Sequence, residues 1–360
     1  ESLGPKPPPI KSDSWSHSHT TIFYSISSYR DELCPRTLFN AYTKATHPGR
    51  VHIGVVQQNL EGDIDCLERY CEMMMEARNL TRNQCPFENQ ITMNRQRAED
   101  AKGPTWARAI GSTMLRDEEF CMQTDSHMDF VRNWDKNLLA AWAMTENEYA
   151  VLSTYVTAIE ELPKVEDGQR GINNQHECPH LCMITYGANQ LVRNWGTKCV
   201  RNLPKPKMTN IVWGAGLSFS KCHAERKTMY DPFTPGIFDG EEFTKAIKLW
   251  TYGYDIYSPH RVYVVHDYHK SQGNPIHSNW ARSPIPPEEK ARGILRLKTV
   301  CGLPGGISDP EEALALIKSK YGLGDRRTME QAVQFSGFAL HNRTSLRNRC
   351  GNIDHVPFTE

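Results

Sequence analysis

Residues 20–59 read TTIFYSISSYRDELCPRTLFNAYTKATHPGRVHIGVVQQN, and this stretch constrains the fold more than any other. An aromatic and β-branched run ends in serines and charges, and a segment with helical apolar spacing then stops at Pro48-Gly49. Val51, Ile53, Val55 and Val56 follow as the core of a second strand. Strand, helix and strand at this spacing form a parallel βαβ unit, so the expected class is α/β, a mixed sheet flanked by helices. The pattern recurs: ITMNRQR reads as a strand, Gly103-Pro104 breaks it, a helix covers residues 105–115, and FCMQT is another apolar run. A helix over 134–144 and a strand within EYAVLSTYV continue the alternation. Residues 60–87, with Cys66, Cys71, Cys85 and three consecutive methionines, read as an insertion or long loop. The polar, Gly-rich residues 163–199, with CPHLC, read as a disulfide-bearing loop near a substrate surface. Beyond Pro284, EEKARGILRLKTVCGL and DPEEALALIKSKYGLG carry helical periodicity and capping signals. The expected organisation is a linker over 1–20, an α/β domain over 21–284 and a helical extension over 285–360 packed on it.

The 42 basic and 42 acidic residues cancel, which gives no reason to expect nucleic acid or an anionic membrane as partner. No apolar run approaches the roughly 20 residues that cross a bilayer, and no signal-peptide pattern opens the sequence. Residues 1–20 begin without methionine and are rich in Pro, Ser and His, the composition of a linker or stem, and an upstream segment, such as an N-terminal membrane anchor, is expected to have been removed. His17 and His19 fall in that stem. Eleven cysteines and the sequons at Asn79 and Asn342 point to an oxidising lumen or the secretory pathway rather than the cytoplasm. The odd count leaves at least one thiol free, and Cys121, inside an apolar run, is the candidate.

The run at 120–130, FCMQTDSHMDF, ends in Asp-Ser-His. Residues two apart at a strand end turn toward one side, and a borderline cation such as Mn²⁺ accepts carboxylate and imidazole together. Asp125 and His127 are therefore candidate metal ligands, and the strand in SPHRVYVVHDYH delivers His266 as a third. On their own, such triplets are more often solvated turns, and His266 reads equally as a satisfied, partly buried histidine.

These surroundings resemble nucleotide-sugar glycosyltransferases of the glycosyltransferase-A fold, most closely the family 60 N-acetylglucosaminyltransferases acting on protein hydroxyproline or threonine. The resemblance is carried by SISSYRDE, AKGPTWAR, QTDSHMDF followed by NWD, WGAGLSFS, FDGEE and TYGYDIYSPHRVYVVHDY, in that order through about residue 268. It implies that Asp125 and His127 stand for the Asp-x-Asp motif and bind Mn²⁺ with His266, bridging the phosphates of a UDP-sugar donor. The more distant polypeptide N-acetylgalactosaminyltransferases also use Asp-x-His and a later His. Ser25, Ser27 and Arg30 would contact uridine and phosphate at the strand ends, and Gly103 would let the backbone approach the nucleotide. Arg108 would touch phosphate or ribose. Glu241 and Glu242 would accept hydrogen bonds from sugar hydroxyls, and Trp213 with Gly214 would wall the donor sugar or acceptor. The activity so implied is retaining transfer of a sugar, GlcNAc first, to a hydroxyl of a protein or peptide acceptor, with Asp125, Glu242 and Trp213 at the reaction centre.

Each residue also has a plainer reading. Trp213 can be a packed strand residue, Arg108 can pair with a carboxylate on its own helix, and Glu241 and Glu242 can be the acidic first turn of a helix capped by Asp239. Two other functions stay open: a catalytically silent sugar- or peptide-binding protein on this fold, and a metal-dependent nucleotide-diphosphate hydrolase.

Overall fold

The computed structural model describes residues 4–81, 84–165, 178–195, 198–200, 203–268, 285–345 and 349–359. The chain runs β1 (Ile22–Tyr29), α1 (Cys34–Thr43), β2 (Val51–Asn59), α2 (Cys66–Arg78), β3 (Ile91–Arg97), α3 (Pro104–Ser112) and β4 (Phe120–Thr124). It continues through β5 (Met128–Phe130), α4 (Trp134–Ala143), β6 (Ala150–Ser153), β7 (Thr157–Ala158), the short α5 (Leu162–Val165), β8 (Cys178–His180), β9 (Ile184–Tyr186) and β10 (Val192–Asn194). Next come β11 (Lys198–Val200), β12 (Lys207–Met208), β13 (Ser218–Lys221), α6 (His223–Lys227), α7 (Glu241–Thr251), β14 (Asp255–Ser258) and β15 (Val264–His266). Among the described residues, α8 (Pro287–Val300), α9 (Pro310–Lys318) and α10 (Met329–Ser336) follow, and then the short antiparallel pair β16 (Phe338–Ala339) and β17 (Thr344–Ser345).

Eight strands form one mixed sheet in the order β12-β14-β6-β13-β4-β1-β2-β3. β1 pairs in parallel with both β2 and β4, so the chain order reverses between β1 and β4. That reversal opens a crevice at the strands' carboxyl ends, the usual ligand position in open α/β sheets. Along β1 the pleat sends Ile22, Tyr24 and Ile26 into the main core with Leu38 of α1, and Phe23 to the other face. A second core joins Phe243, Ile247 and Trp250 of α7 to Ala332 and Phe335 of α10, and this packs the C-terminal helices onto the sheet domain. The sequence boundary at 284 lies outside the described residues, as do 166–177 and 196–197 of the Gly-rich segment.

Three expectations change. Residues 66–78 are a helix rather than a loop: Asp65 caps it by accepting from Leu67 N and Glu68 N, and Cys66, Tyr70 and Met74 make a buried stripe that the flanking methionines and charges obscure. Residues 8–15 lie against the domain rather than standing off as a stem: Ile10 and Trp15 pack on the core, Glu148 N donates to Pro8 O, and Lys11 N donates to Glu148. Cys121 is not free. It bonds Cys222, because β4's alternation points it away from the main core toward the chain just after β13.

Disulfides also join Cys34–Cys66, Cys71–Cys85 and Cys182–Cys350. The free cysteine among the described residues is the buried Cys301. Four disulfides among the described residues are the chemistry of an oxidising compartment. No helix among the described residues is long and apolar enough to cross a membrane.

The entry to β2 is fixed by a buried ion pair. Asp135 of α4 accepts from Arg50 Nε and Nη2 and from the backbone N–H of Thr46 and His47, at 2.6–3.0 Å. Both side chains are buried. Asp135→Ala leaves the Arg50 guanidinium buried and unpaired, and is expected to cost about 3–5 kcal/mol in urea denaturation at unchanged slope.

Candidate active site

The site is assembled from the carboxyl end of β4 outward. Ile26 pairs with Thr124, so Asp125 leaves the sheet beside Ser27 at the β1/β4 reversal. The turn that follows is clamped by Thr37 of α1, whose Oγ1 donates to Ser126 O and accepts from Met128 N, both at 2.8 Å. The chain then enters β5, which pairs antiparallel with β15 so that His266 faces Met128 and Asp267 N donates to His127 O at 3.0 Å. This small sheet brings the two histidines together. Nε2 of His127 and Nε2 of His266 are 2.9 Å apart, and His266 Nε2 is 3.3 Å from Asp125 Oδ2. One ligand atom from each of the three residues lies within 4.8 Å of the others.

Two imidazole nitrogens and a carboxylate oxygen are a donor set for a borderline divalent ion. Nitrogens at about 2.1 Å from one ion and at right angles around it would lie about 3 Å apart, close to the separation seen here. Nδ1 of His266 has no hydrogen-bond partner among the described residues, so that ring's polar contacts run through the nitrogen facing Asp125 and His127. The residues fit a metal such as Mn²⁺.

Arg108 of α3 ties the motif to α7. Its Nη1 donates to Glu241 and its Nη2 to Asp125 Oδ1 at 3.2 Å. Burial pushes the Asp125 carboxyl up, but the His266 hydrogen bond and the charges of Arg108, His127 and His266 outweigh it and hold it well below the usual carboxylate range. Glu241 is raised by burial and partly restored by Arg108. Glu242 receives three donors: Tyr155 Oη at 2.7 Å and Asn194 Nδ2 at 3.0 Å on Oε2, and Ala215 N at 2.9 Å on Oε1. Burial still pushes it up to about 7, against the lowering by Ala215 and Tyr155.

These groups surround a cavity of about 480 Å³, within the range of small-molecule sites. Ser27, Gly103 and Arg108 line it with Asp125, His127, His266, Glu241 and Glu242. The Ser27 hydroxyl has no partner among the described residues. Gly103, at φ +90°, precedes α3 in a backbone conformation that side chains rarely adopt. Other expected residues lie elsewhere. Ser25 is not in the cavity wall, and a Cβ on Gly111 of α3 would sit 2.8 Å from its Oγ. Arg30 forms a two-point ion pair with Asp63. Trp213 is fully buried, donating Nε1 to Ser218 Oγ, and Ala215 and Gly216 make the wall instead. Gly214 N is bonded to Ser153 Oγ. The cap of α7 is Gly240, at φ +101°, while Asp239 pairs with Arg193. Tyr155, Asn194, Phe238 and Tyr268 are site residues that sequence reasoning did not single out. Tyr155, Phe238 and Tyr268 lie in connecting segments and Asn194 ends a three-residue strand, so none carries a local pattern to find it by.

Glu242 holds its proton more tightly in the folded chain than in the unfolded one. Its contribution to stability therefore falls as pH rises from about 4.5 to about 7. Glu242→Gln removes that slope. The melting temperature of the variant minus that of the wild type is expected to be more positive at about pH 8 than at about pH 5 in thermal scans.

A family model described as Glycosyltransferase (GlcNAc) matches residues 21–84 and 68–341. No curated protein matches the sequence. A crystal structure of GalNAc-T7 with UDP, GalNAc and Mn²⁺ superposes with TM-score 0.55 at 15% identity, over 88% of this chain and 56% of the other. The chain thus spans little more than half of that relative's length. A Pyrobaculum calidifontis mannosyltransferase in complex with GDP-Man and Mn²⁺ gives TM-score 0.45 at 13% identity, over 87% and 73% of the two chains. S. aureus TarS in complex with UDP-GlcNAc gives 0.45 at 10% identity, over 89% and 74%. The mixed sheet flanked by helices is the glycosyltransferase-A fold. From the coverage of its family model, the chain belongs to the GlcNAc glycosyltransferase family.

Proposed function

We propose that this protein is a retaining, metal-dependent transferase that moves N-acetylglucosamine from a UDP donor to a hydroxyl of Thr, Ser or hydroxyproline in a protein acceptor. The family 60 resemblance supports this acceptor class and a Golgi setting, and the disulfides support an oxidising compartment. The observation that carries the reading is the convergence of Asp125, His127 and His266 in the wall of the cavity at the β1/β4 reversal. When bound, Mn²⁺ supplies positive charge beside the departing diphosphate.

The chain's own residues take the remaining work. Asp125, His127 and His266 hold the ion, and Arg108 keeps Asp125 ionised and aimed. Ser27 at the end of β1 and Gly103 before α3 receive the nucleotide. Glu242, fixed by Tyr155, Asn194 and Ala215, accepts from a sugar hydroxyl on the other side. The acceptor oxygen bonds to the anomeric carbon on the face from which the diphosphate oxygen departs. Its proton passes to that oxygen.

The test is UDP release from a panel of UDP-sugars with Mn²⁺, with and without Thr-rich and hydroxyproline-containing peptides. Wild type is expected to respond to one peptide class with UDP-GlcNAc. Asp125→Ala, His127→Ala and His266→Ala are each expected to lose at least about a hundredfold, since an ion of this kind supplies several kcal/mol of charge stabilisation. Release indifferent to peptide would instead mean a hydrolase. Variants as active as wild type would move the site elsewhere.

A further inference from the structure

Asp31 lies just beyond β1, buried beneath the Asp-Ser-His turn. Its Oδ2 receives Nδ1 of His127 at 2.8 Å and also the hydroxyl of Ser126. Oδ1 accepts from Leu33 N at 3.0 Å, which anchors the carboxylate at the start of α1. One oxygen thus holds both members of the motif that follow Asp125. A carboxylate is an acceptor only, so Nδ1 of His127 must carry the ring proton. Nε2, the nitrogen 2.9 Å from His266 Nε2, is then left with its lone pair directed into the cluster. Ser126 gains a purpose in the same way, since its hydroxyl restrains the oxygen of Asp31 that also holds His127.

We propose that Asp31 is a positioning residue for the metal site, fixing the tautomer and the orientation of His127 so that Nε2 is presented to a divalent ion. The inference rests on the metal-dependent reading above. Carboxylate–histidine–metal chains are a general device, and loss of the outer carboxylate commonly lowers metal affinity 10–100-fold. In this role Asp31 acts through His127.

The experiment titrates Mn²⁺ into the full chain and reads free ion by electron paramagnetic resonance, for wild type, Asp31→Asn, Ser126→Ala and His127→Ala. ¹⁵N shifts of histidine-labelled, metal-free protein report the His127 tautomer, assigned by its loss in His127→Ala. Expected are an Nδ1-protonated His127 in wild type, a mixed or reversed tautomer in Asp31→Asn, and Mn²⁺ binding about 10–100-fold weaker in that variant. Ser126→Ala, which keeps Asp31 in place, is expected to retain the wild-type tautomer with a smaller loss, and supports the inference should Asp31→Asn fail to fold. An Nε2-protonated His127 in wild type, or equal Mn²⁺ affinity in a folded Asp31→Asn, overturns the inference alone and leaves the transferase reading standing. Wild type that binds no Mn²⁺ overturns both.

Discussion

Three residues of β5 against three of β15 are the constraint on which the site depends. Asp125 and His127 belong to one segment, His266 to another 139 residues beyond His127, and the ladder between them fixes who meets whom. Strand faces alternate with period 2, so a slip of one residue would turn His266 away and bring a neighbour in its place. The register is held by apolar side chains on both strands. Met128 and Phe130 sit in the main core with Val264, and Val265 joins a smaller cluster with Val131 and Val262. The metal-binding geometry is thus bought with hydrophobic burial rather than with the electrostatics of the ligands themselves, whose burial costs desolvation.

That electrostatic cost is visible in the wall of the cavity. Asp31, Asp125, Asp239, Glu241, Glu242 and Asp267 line it, against Arg108 and Arg193. With neutral imidazoles the wall carries more negative than positive charge, so a diphosphate arriving alone would meet repulsion. A divalent ion reverses the sign locally, which makes the three-ligand cluster and any nucleotide-diphosphate site interdependent. Arg108 mediates between the two halves. It is paired to Asp125 on one side and Glu241 on the other, so it links the ligand-bearing end of β4 to the first turn of α7.

Much of this was readable beforehand, and the reasons for the failures are specific. β1, α1, β2, β4 and α4 follow from apolar periodicity or short apolar runs because each buries apolar residues in a core. The three candidate ligands also came from sequence, since Asp125 and His127 share a strand end and His266 ends an alternating run. What periodicity cannot show is direction at a particular residue. Ser25 and Ser27 lie on the same face by alternation, yet α3 packs at Gly111 over one and the cavity opens beside the other. Arg30 found Asp63, a partner 33 residues away, and Trp213 found a core assembled from α7 and the C-terminal helices. Asp31 was present in SISSYRDE, but its role needs the turn at Ser126 to be folded beneath β1's end before it acquires meaning.

Glu242 shows how far the fold determines the remaining chemistry. Its three donors come from the loop after β6, the end of β10 and the chain before β13, segments with no shared sequence pattern. A carboxylate offers about four lone-pair positions, and three are filled, two on Oε2 and one on Oε1. The remaining position lies on Oε1, the oxygen bound to Ala215 N, and Ala215 lines the cavity with Glu242 itself. The ionised group can accept one further hydrogen bond there; the protonated group, with its hydrogen on that same oxygen, would donate instead. Because burial brings the two forms into balance near neutrality, the environment leaves this one wall position able to meet either a hydroxyl's hydrogen or its oxygen, while the other three contacts keep the side chain from turning.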